Sequence, residues 1–192
     1  MSNQSWNVGD DSSQLNKQLW RKSKEIMSLE DITISALRPP LKMNSVDFNE
    51  YNGRMVLIYF YQYDFVEESK ANLFALADRF SDFEEANCQI LTCSCDSVYV
   101  HFAWQTLTKF TEGVPLLERT LPFPMLADKA KVLTTTLGIY DHEEGIAQPT
   151  LVFVDKIGTI RQQEALEPNA TLDIDDILNK VTDLAEPRVV SE

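Results

Sequence analysis

Residues 54–96 limit most strongly what this chain can fold into. The segment 55–61 is an unbroken run of apolar β-formers, which is typical of a strand covered on both faces. Apolar residues then recur at helical spacing, and a second strand-like apolar run follows at 89–95. The helical positions are Leu73, Phe74, Leu76, Ala77 and Phe80. This order predicts a right-handed βαβ unit, whose ligand site lies where the first strand meets the helix, at residues 61–69.

Length and charge restrict the class of protein further. A chain of 192 residues that is 44% hydrophobic can bury one core, and its length gives no reason to expect two domains. A net charge of -13 argues against nucleic acid or an anionic membrane as partner, because both select basic surfaces. The sequence shows neither a membrane-length apolar run nor a signal-peptide pattern, so we expect a cytoplasmic protein.

The two ends differ from the middle of the chain. Residues 1–24 are polar and contain four basic and two acidic residues, which is typical of a mobile tail. The alternative is a short helix, marked by Leu15, Leu19 and Trp20, that docks on a partner. Residues 171–185 repeat apolar positions at helical spacing and predict an amphipathic closing helix. We therefore expect a tail at 1–24, one folded domain at 25–186 and a short tail at 187–192.

The junction after the first strand resembles the heart of a peroxiredoxin. That family carries Phe-Tyr-Pro-x-Asp-Phe-Thr-x-x-Cys, and residues 60–69 read FYQYDFVEES. The match continues without a gap to residues 96–104, DSVYVHFAW, which resemble the Asp-Ser-x-x-x-His-x-x-Trp helix of the family. The resemblance covers residues 25–186. It implies an α/β, thioredoxin-like three-layer fold in which a mixed central sheet has helices on both faces.

The resemblance also implies a peroxide-reducing pocket, and this chain departs from it at six positions. They are Gln62 for proline, Val66 for threonine, Ser69 for the reactive cysteine, Asn72 for a bracing glutamate, and Lys131 and Pro149 for two arginines. Nothing in the tail matches a resolving cysteine. Serine cannot replace the nucleophile, because an alcohol is far less acidic than a thiol. Without that chemistry, Asp64 and Ser69 suit the start of a helix as capping residues.

Three cysteines and one histidine remain as candidates for chemistry. In a strand, Cys93 and Cys95 share one face and Cys88 points to the other. A disulfide between residues two apart in a strand would be badly strained, so we expect buried free thiols. The alternative is a redox role for Cys93 or Cys95. His101 is expected to pack and to form hydrogen bonds, and no metal site can be recognised.

Two features of the second half of the chain carry further expectations. Residues 106–124 form a proline-rich connection that is longer than in the family, and its apolar residues predict a contact surface. Those residues are Leu116, Leu117, Leu121 and Phe123. Pro149 stands directly before a strand and resembles the cis-proline corner of thioredoxins, so we expect a cis bond there.

These residues together predict a peroxiredoxin-like protein without peroxidase activity that acts as a binding or oligomer-forming scaffold. Its expected partner is a second copy, in a dimer or larger ring, or an active peroxiredoxin in a mixed assembly. One alternative is a thioredoxin-dependent peroxidase or redox sensor that uses Cys93 or Cys95. Another is a holdase-like chaperone that uses the apolar connection. No cofactor is expected.

Overall fold

The computed structural model describes residues 28–29, 32–108 and 112–185, so both predicted tails lie outside the described residues. The strands are β1 Thr33–Arg38, β2 Lys42–Asp47, β3 Met55–Phe60, β4 Cys88–Ser94, β5 Met125–Ala127, β6 Tyr140–Asp141, β7 Ile146–Ala147, β8 Thr150–Val154 and β9 Ile160–Ala165. The helices are α1 Glu67–Asp78, α2 Phe80–Glu85, α3 Val98–Thr106, α4 Val132–Thr136 and α5 Ile174–Ala185, with a 3-10 helix at Phe48–Tyr51. No helix within the described residues is long and apolar enough to cross a membrane.

One mixed sheet organises the described part of the chain. Its seven strands lie in the order β2-β1-β5-β4-β3-β8-β9, and β6 pairs with β7 in a separate hairpin. Strands β3, β4 and β5 are parallel, β8 is antiparallel to β3, and β9 is antiparallel to β8. Helix α1 connects β3 to β4, which confirms the predicted βαβ unit and the thioredoxin-like α/β class.

Strand β3 divides the core into two halves because its side chains alternate between the two faces of the sheet. All six of its residues are buried. Met55, Leu57 and Tyr59 pack with residues of α1 and α5, and we call this side the α1 face. The residues between them, Val56, Ile58 and Phe60, pack with residues of α4 on the α4 face. Burial on both faces explains why β3 is an unbroken apolar run.

Helix α1 begins differently from the prediction. Its N-cap is Val66, no side-chain hydrogen bond caps the helix, and Ser69 is the third helical residue. Capping by Asp64 and Ser69 is therefore wrong. The carboxylate of Asp64 is instead occupied by Tyr61 and His101. The helix ends at Asp78, and a separate helix begins at Phe80, so the helical spacing that continued to Phe80 belongs to two elements.

The apolar connection after α3 is not a contact surface, and that prediction is wrong. Its four apolar residues are buried in the core of the α1 face: Leu116, Leu117, Leu121 and Phe123. The indole nitrogen of Trp104 donates to the Pro115 carbonyl at 2.9 Å, and the rings of Phe80 and Phe123 lie 6.2 Å apart. This segment closes the core over α2 and α3, and that role accounts for its composition.

The expected cis bond before Pro149 is also wrong. The cis peptide bond that the structure describes joins Pro39 to Pro40, in the turn between β1 and β2. Pro149 leads directly into β8, where Thr150 pairs with Phe60. Its carbonyl accepts a hydrogen bond from the Leu166 amide at 2.8 Å. The bond before Pro149 is therefore trans. Where the chain enters β8, the Pro149 carbonyl is already hydrogen-bonded to Leu166, the residue that follows β9.

A buried polar network holds α3 against the sheet. The Tyr61 hydroxyl donates to Asp64 at 2.7 Å, and His101 Nδ1 lies 2.7 Å from the second Asp64 oxygen. The other ring nitrogen, Nε2, lies 3.1 Å from the Leu126 carbonyl and therefore carries a proton that it donates. The Asp64 amide donates to Asp96 at 3.0 Å. His101 is a packing and hydrogen-bonding residue, as its sequence context predicts.

This network binds a proton more tightly in the folded state. Burial alone would lower the pKa of His101, but the Asp64 carboxylate and the Leu126 carbonyl outweigh burial, and the pKa rises above its ordinary 6.5. Burial raises the pKa of Asp64, and the charge of His101 opposes that rise. A raised pKa means that the folded protein binds more protons than the unfolded chain, so stability decreases as the pH increases.

We expect the free energy of unfolding to decrease as the pH rises from about 6.5 through the raised pKa of His101, because the stabilisation by its proton is complete only below that range. Urea unfolding followed by circular dichroism at several pH values measures this. His101→Gln should be less stable and should lose this part of the pH dependence. His142 is exposed, so His142→Gln is the matched control. An unchanged pH profile in His101→Gln would contradict the role of this pair.

Candidate functional site

Ser69 lies at the junction where the sequence predicts a site. The first turn of α1 follows the carboxyl end of β3, and Ser69 is 5% exposed. Val66 stands half-buried at the N-cap, with an extended backbone, and has no hydroxyl to offer. The amino end of a helix favours negative charge, but a serine hydroxyl remains protonated at neutral pH. The first turn of α1 therefore presents a neutral hydroxyl at Ser69.

Asn72 lies one turn further along α1 and forms three hydrogen bonds, which use both of its donors. Its Nδ2 donates to the Tyr59 hydroxyl at 3.0 Å and to the Ala170 carbonyl at 2.9 Å, and its Oδ1 accepts from the Leu172 amide at 3.0 Å. Burial raises the pKa of Tyr59 to about 12, so the phenol is neutral when it accepts from Asn72. One amide therefore joins α1, β3 and the segment before α5.

Gln62 and Pro149 line a cleft beside this junction. They are brought together because β3 and β8 are neighbouring antiparallel strands, in which Phe60 pairs with Thr150. The cleft has a volume of about 240 Å³. It is lined by Gln62, Asp141, Glu144, Ile146, Gln148, Pro149, Ala165, Leu166, Glu167 and Pro168. Its walls are apolar, and its charged residues are all carboxylates.

Lys131 lies beside residues of the α4 face of the sheet. It is the N-cap of α4 and has a left-handed backbone, with φ 59°. Its ammonium nitrogen is 5.9 Å from the centre of the Tyr140 ring. Two residues later, Leu133 packs in the core of the α4 face. The charge of Lys131 acts on the thiol of Cys95, where it opposes the effect of burial.

The three thiols are placed away from Ser69. Cys93 and Cys95 pack on the α4 face, whereas the buried residues of α1 lie on the other side of the sheet. Cys88 is on the α1 face, but it pairs with Met55 at the opposite end of β3 from Ser69. These positions confirm the predicted strand parity.

The thiols are also protonated. Burial raises the pKa of Cys88 to about 12 and that of Cys93 well above its ordinary value. Cys95 is half-buried rather than buried, and burial still raises its pKa although Lys131 and Thr134 oppose it. Thiolate is the reactive form, so none of the three is prepared for nucleophilic attack.

The side chains that line the cleft are apolar groups, amides and carboxylates. Within the described residues, no group of three or more His, Cys, Asp or Glu side chains could hold a metal ion. Sequence reasoning missed the carboxylates of the cleft, Asp141, Glu144 and Glu167, although the acidic run at 141–144 was visible. It also missed the partners of Asn72, because nothing local indicates a contact almost 100 residues away.

Curated relatives with similar sequences carry peroxidase names. Peroxiredoxin-1 of Gallus gallus is 30% identical over 132 residues, which are 69% of this chain and 64% of that protein. A thioredoxin peroxidase of Echinococcus granulosus is 32% identical over 121 residues, which are 63% of this chain and 61% of that protein. The chain thus spans less than two thirds of the length of these relatives.

Solved structures show the same fold at lower identity. The reduced 2-Cys peroxiredoxin of Plasmodium vivax superposes with a TM-score of 0.71 at 23% identity, covering 78% of this chain and 76% of that one. AhpC of Enterococcus faecalis gives 0.71 at 22% identity, covering 82% and 90%. A Plasmodium yoelii Prx1a modified at its N-terminus, described as an artifactual octamer, gives 0.69 at 22% identity, covering 84% and 95%.

The pattern that defines the AhpC/TSA family matches residues 31–163, well over half of the chain. That match contains β3, α1 with Ser69, and β4 with the region of the three thiols. It also contains the cleft residues from Gln62 to Pro149 and ends before those at 165–168. By this match and by its fold, the protein belongs to the AhpC/TSA family.

Proposed function

We propose that this protein is a peroxiredoxin-fold scaffold without peroxidase activity, whose role is binding and assembly. One observation carries the proposal. The helix start that holds a cysteine in active relatives holds Ser69, and the sheet or the length of β3 separates this position from every cysteine of the chain. A peroxide bound there would meet no thiol that could reduce it.

The surrounding groups support the same conclusion, because they stabilise the fold. All three hydrogen bonds of Asn72 go to protein groups. Asp64 is engaged by Tyr61 and His101. A reactive pocket holds hydrogen-bond donors in position for a charged group. The side chains of Asn72 and Asp64 are instead already hydrogen-bonded within the protein.

Assembly is proposed from exposed apolar side chains near the junction. Tyr99 is 72% exposed and Tyr63 is 39% exposed, and the hydrogen bond from the Asp64 amide to Asp96 joins the segments that carry them. Exposed aromatic residues are enriched in protein interfaces. The favoured partner is a second copy of this chain, because most soluble oligomers are symmetric homo-oligomers.

The other two functions have less support. Redox chemistry at Cys93 or Cys95, with thioredoxin as reductant, requires a thiolate, and burial raises the pKa of both thiols. A holdase-like chaperone would need the apolar connection to be accessible. Its residues Leu117 and Phe123 are fully buried.

We expect no consumption of hydrogen peroxide above a cysteine-free control, because no thiolate is available. The measurement is NADPH oxidation in the presence of thioredoxin and thioredoxin reductase, beside light scattering at tens of micromolar to determine the size of the assembly. Turnover that disappears in Cys95→Ser or Cys93→Ser would establish the redox alternative instead. A monomer would contradict the proposed self-association.

We expect Ser69→Cys to react with peroxide only slowly. A free thiol near its ordinary pKa is a few per cent thiolate at neutral pH, and burial at this position opposes ionisation. Each missing donor costs about 10²-fold in rate. The quadruple variant with Val66→Thr, Lys131→Arg and Pro149→Arg should therefore exceed the single variant by more than the separate changes predict.

Stopped-flow kinetics of second-order peroxide reduction compares these variants. Ser69→Ala is the matched control, because it keeps the three native cysteines and adds none. If Ser69→Cys alone reacts as fast as an active peroxiredoxin, the pocket is intact and the proposal of an inactive scaffold fails.

We expect Asn72→Ala to destabilise the protein by about 3 kcal/mol, because it leaves a buried amide, a carbonyl and a phenol without their partner. Asn169 is exposed in the segment before α5, so Asn169→Ala should change stability by less than about 0.5 kcal/mol. Urea unfolding compares both variants with the parent. Equal stability of the two variants would show that the hydrogen bonds of Asn72 do not hold the fold.

A further inference from the structure

The cleft beside Gln62 has an apolar interior and an acidic rim. Ile146, Leu166 and Pro149 supply apolar walls, and Asp141, Glu144 and Glu167 supply three carboxylates. None of these carboxylates forms an ion pair with another described residue, and no lysine or arginine lines the cleft in the described part of the chain. Such a site is complementary to a segment that carries both apolar and basic side chains.

Ser28 lies beside the sheet edge that ends at this cleft. Ser28 forms an antiparallel bridge with Thr159, and the Leu29 amide donates to the Gly158 carbonyl at 3.1 Å. An antiparallel continuation of this bridge would take the preceding residues in the direction of those after Thr159. That direction follows β9, which is an edge of the described sheet and ends at the cleft residue Ala165.

The distance is within reach of a short length of chain. The six steps from Thr159 to Ala165 span about 20 Å in a strand, and six steps back from Ser28 reach equally far. Residue 22 is six residues before Ser28. The segment that can reach the cleft is therefore the one around residues 15–24.

That segment has the complementary chemistry. Residues 15–24 read LNKQLWRKSK, with four basic residues and no acidic one, and with apolar side chains at Leu15, Leu19 and Trp20. We propose that residues 15–24 bind the acidic cleft of the same molecule, with an apolar side chain between Ile146 and Leu166 and with basic side chains on the three carboxylates. This intramolecular contact is independent of whether the protein reduces peroxide.

Zero-length carbodiimide cross-linking of the intact protein tests the contact, since it joins only amines and carboxylates that touch. Mass spectrometry should find amide links from Lys17, Lys22 or Lys24 to Glu144, Glu167 or Asp141, and their yield should decrease several-fold in 1 M salt. Glu143 provides the internal control. It is exposed, it precedes Glu144 in the same turn, and it does not line the cleft.

Variants separate binding from chance encounters. Arg21→Glu keeps all three lysines, and we expect it to reduce the links to the cleft several-fold. Glu143→Gln should leave them unchanged, and the double variant Glu144→Gln with Glu167→Gln should leave few links to Asp141. Links to Glu143 as frequent as those to Glu144, or no effect of Arg21→Glu, would overturn the proposal. Links formed only between ¹⁴N- and ¹⁵N-labelled chains would overturn the intramolecular contact.

Discussion

The Asp64 carboxylate is the interaction on which this arrangement depends. Asp64 lies between β3 and α1 and is 6% exposed. Its carboxylate binds Tyr61, the residue after β3, and His101 from α3. A buried carboxylate is costly unless it is paired and hydrogen-bonded, so its partners must stay in position. The junction and α3 are therefore held at fixed places relative to the sheet, whatever residue stands at position 69.

The contacts that place the first turn of α1 come from apolar packing and from one buried amide. The helix start at Ser69 is placed by the packing of Leu73 and Leu76 in the core of the α1 face, and by the amide of Asn72. None of these contacts requires a thiol or an arginine. The fold is therefore held by groups other than thiols and arginines, and the fold alone does not establish an activity.

The sheet also decides which groups can act together. Cys93, Cys95 and Lys131 are associated with the α4 face, whereas Ser69 belongs to the helix on the α1 face. The carboxylates of the cleft come from the hairpin of β6 and β7 and from the segment after β9.

The sequence by itself determined the βαβ core and the parity of the three cysteines. Those features are local, since strand and helix periodicities suffice to predict them. Only the tertiary structure decided that Leu117 and Phe123 are core residues and that Asn72 binds Ala170 and Leu172. An apolar run has the same sequence pattern whether it packs in the core or against a partner protein. A polar side chain likewise does not reveal in sequence which distant backbone groups it will meet, because burial and long-range pairing are properties of the whole fold.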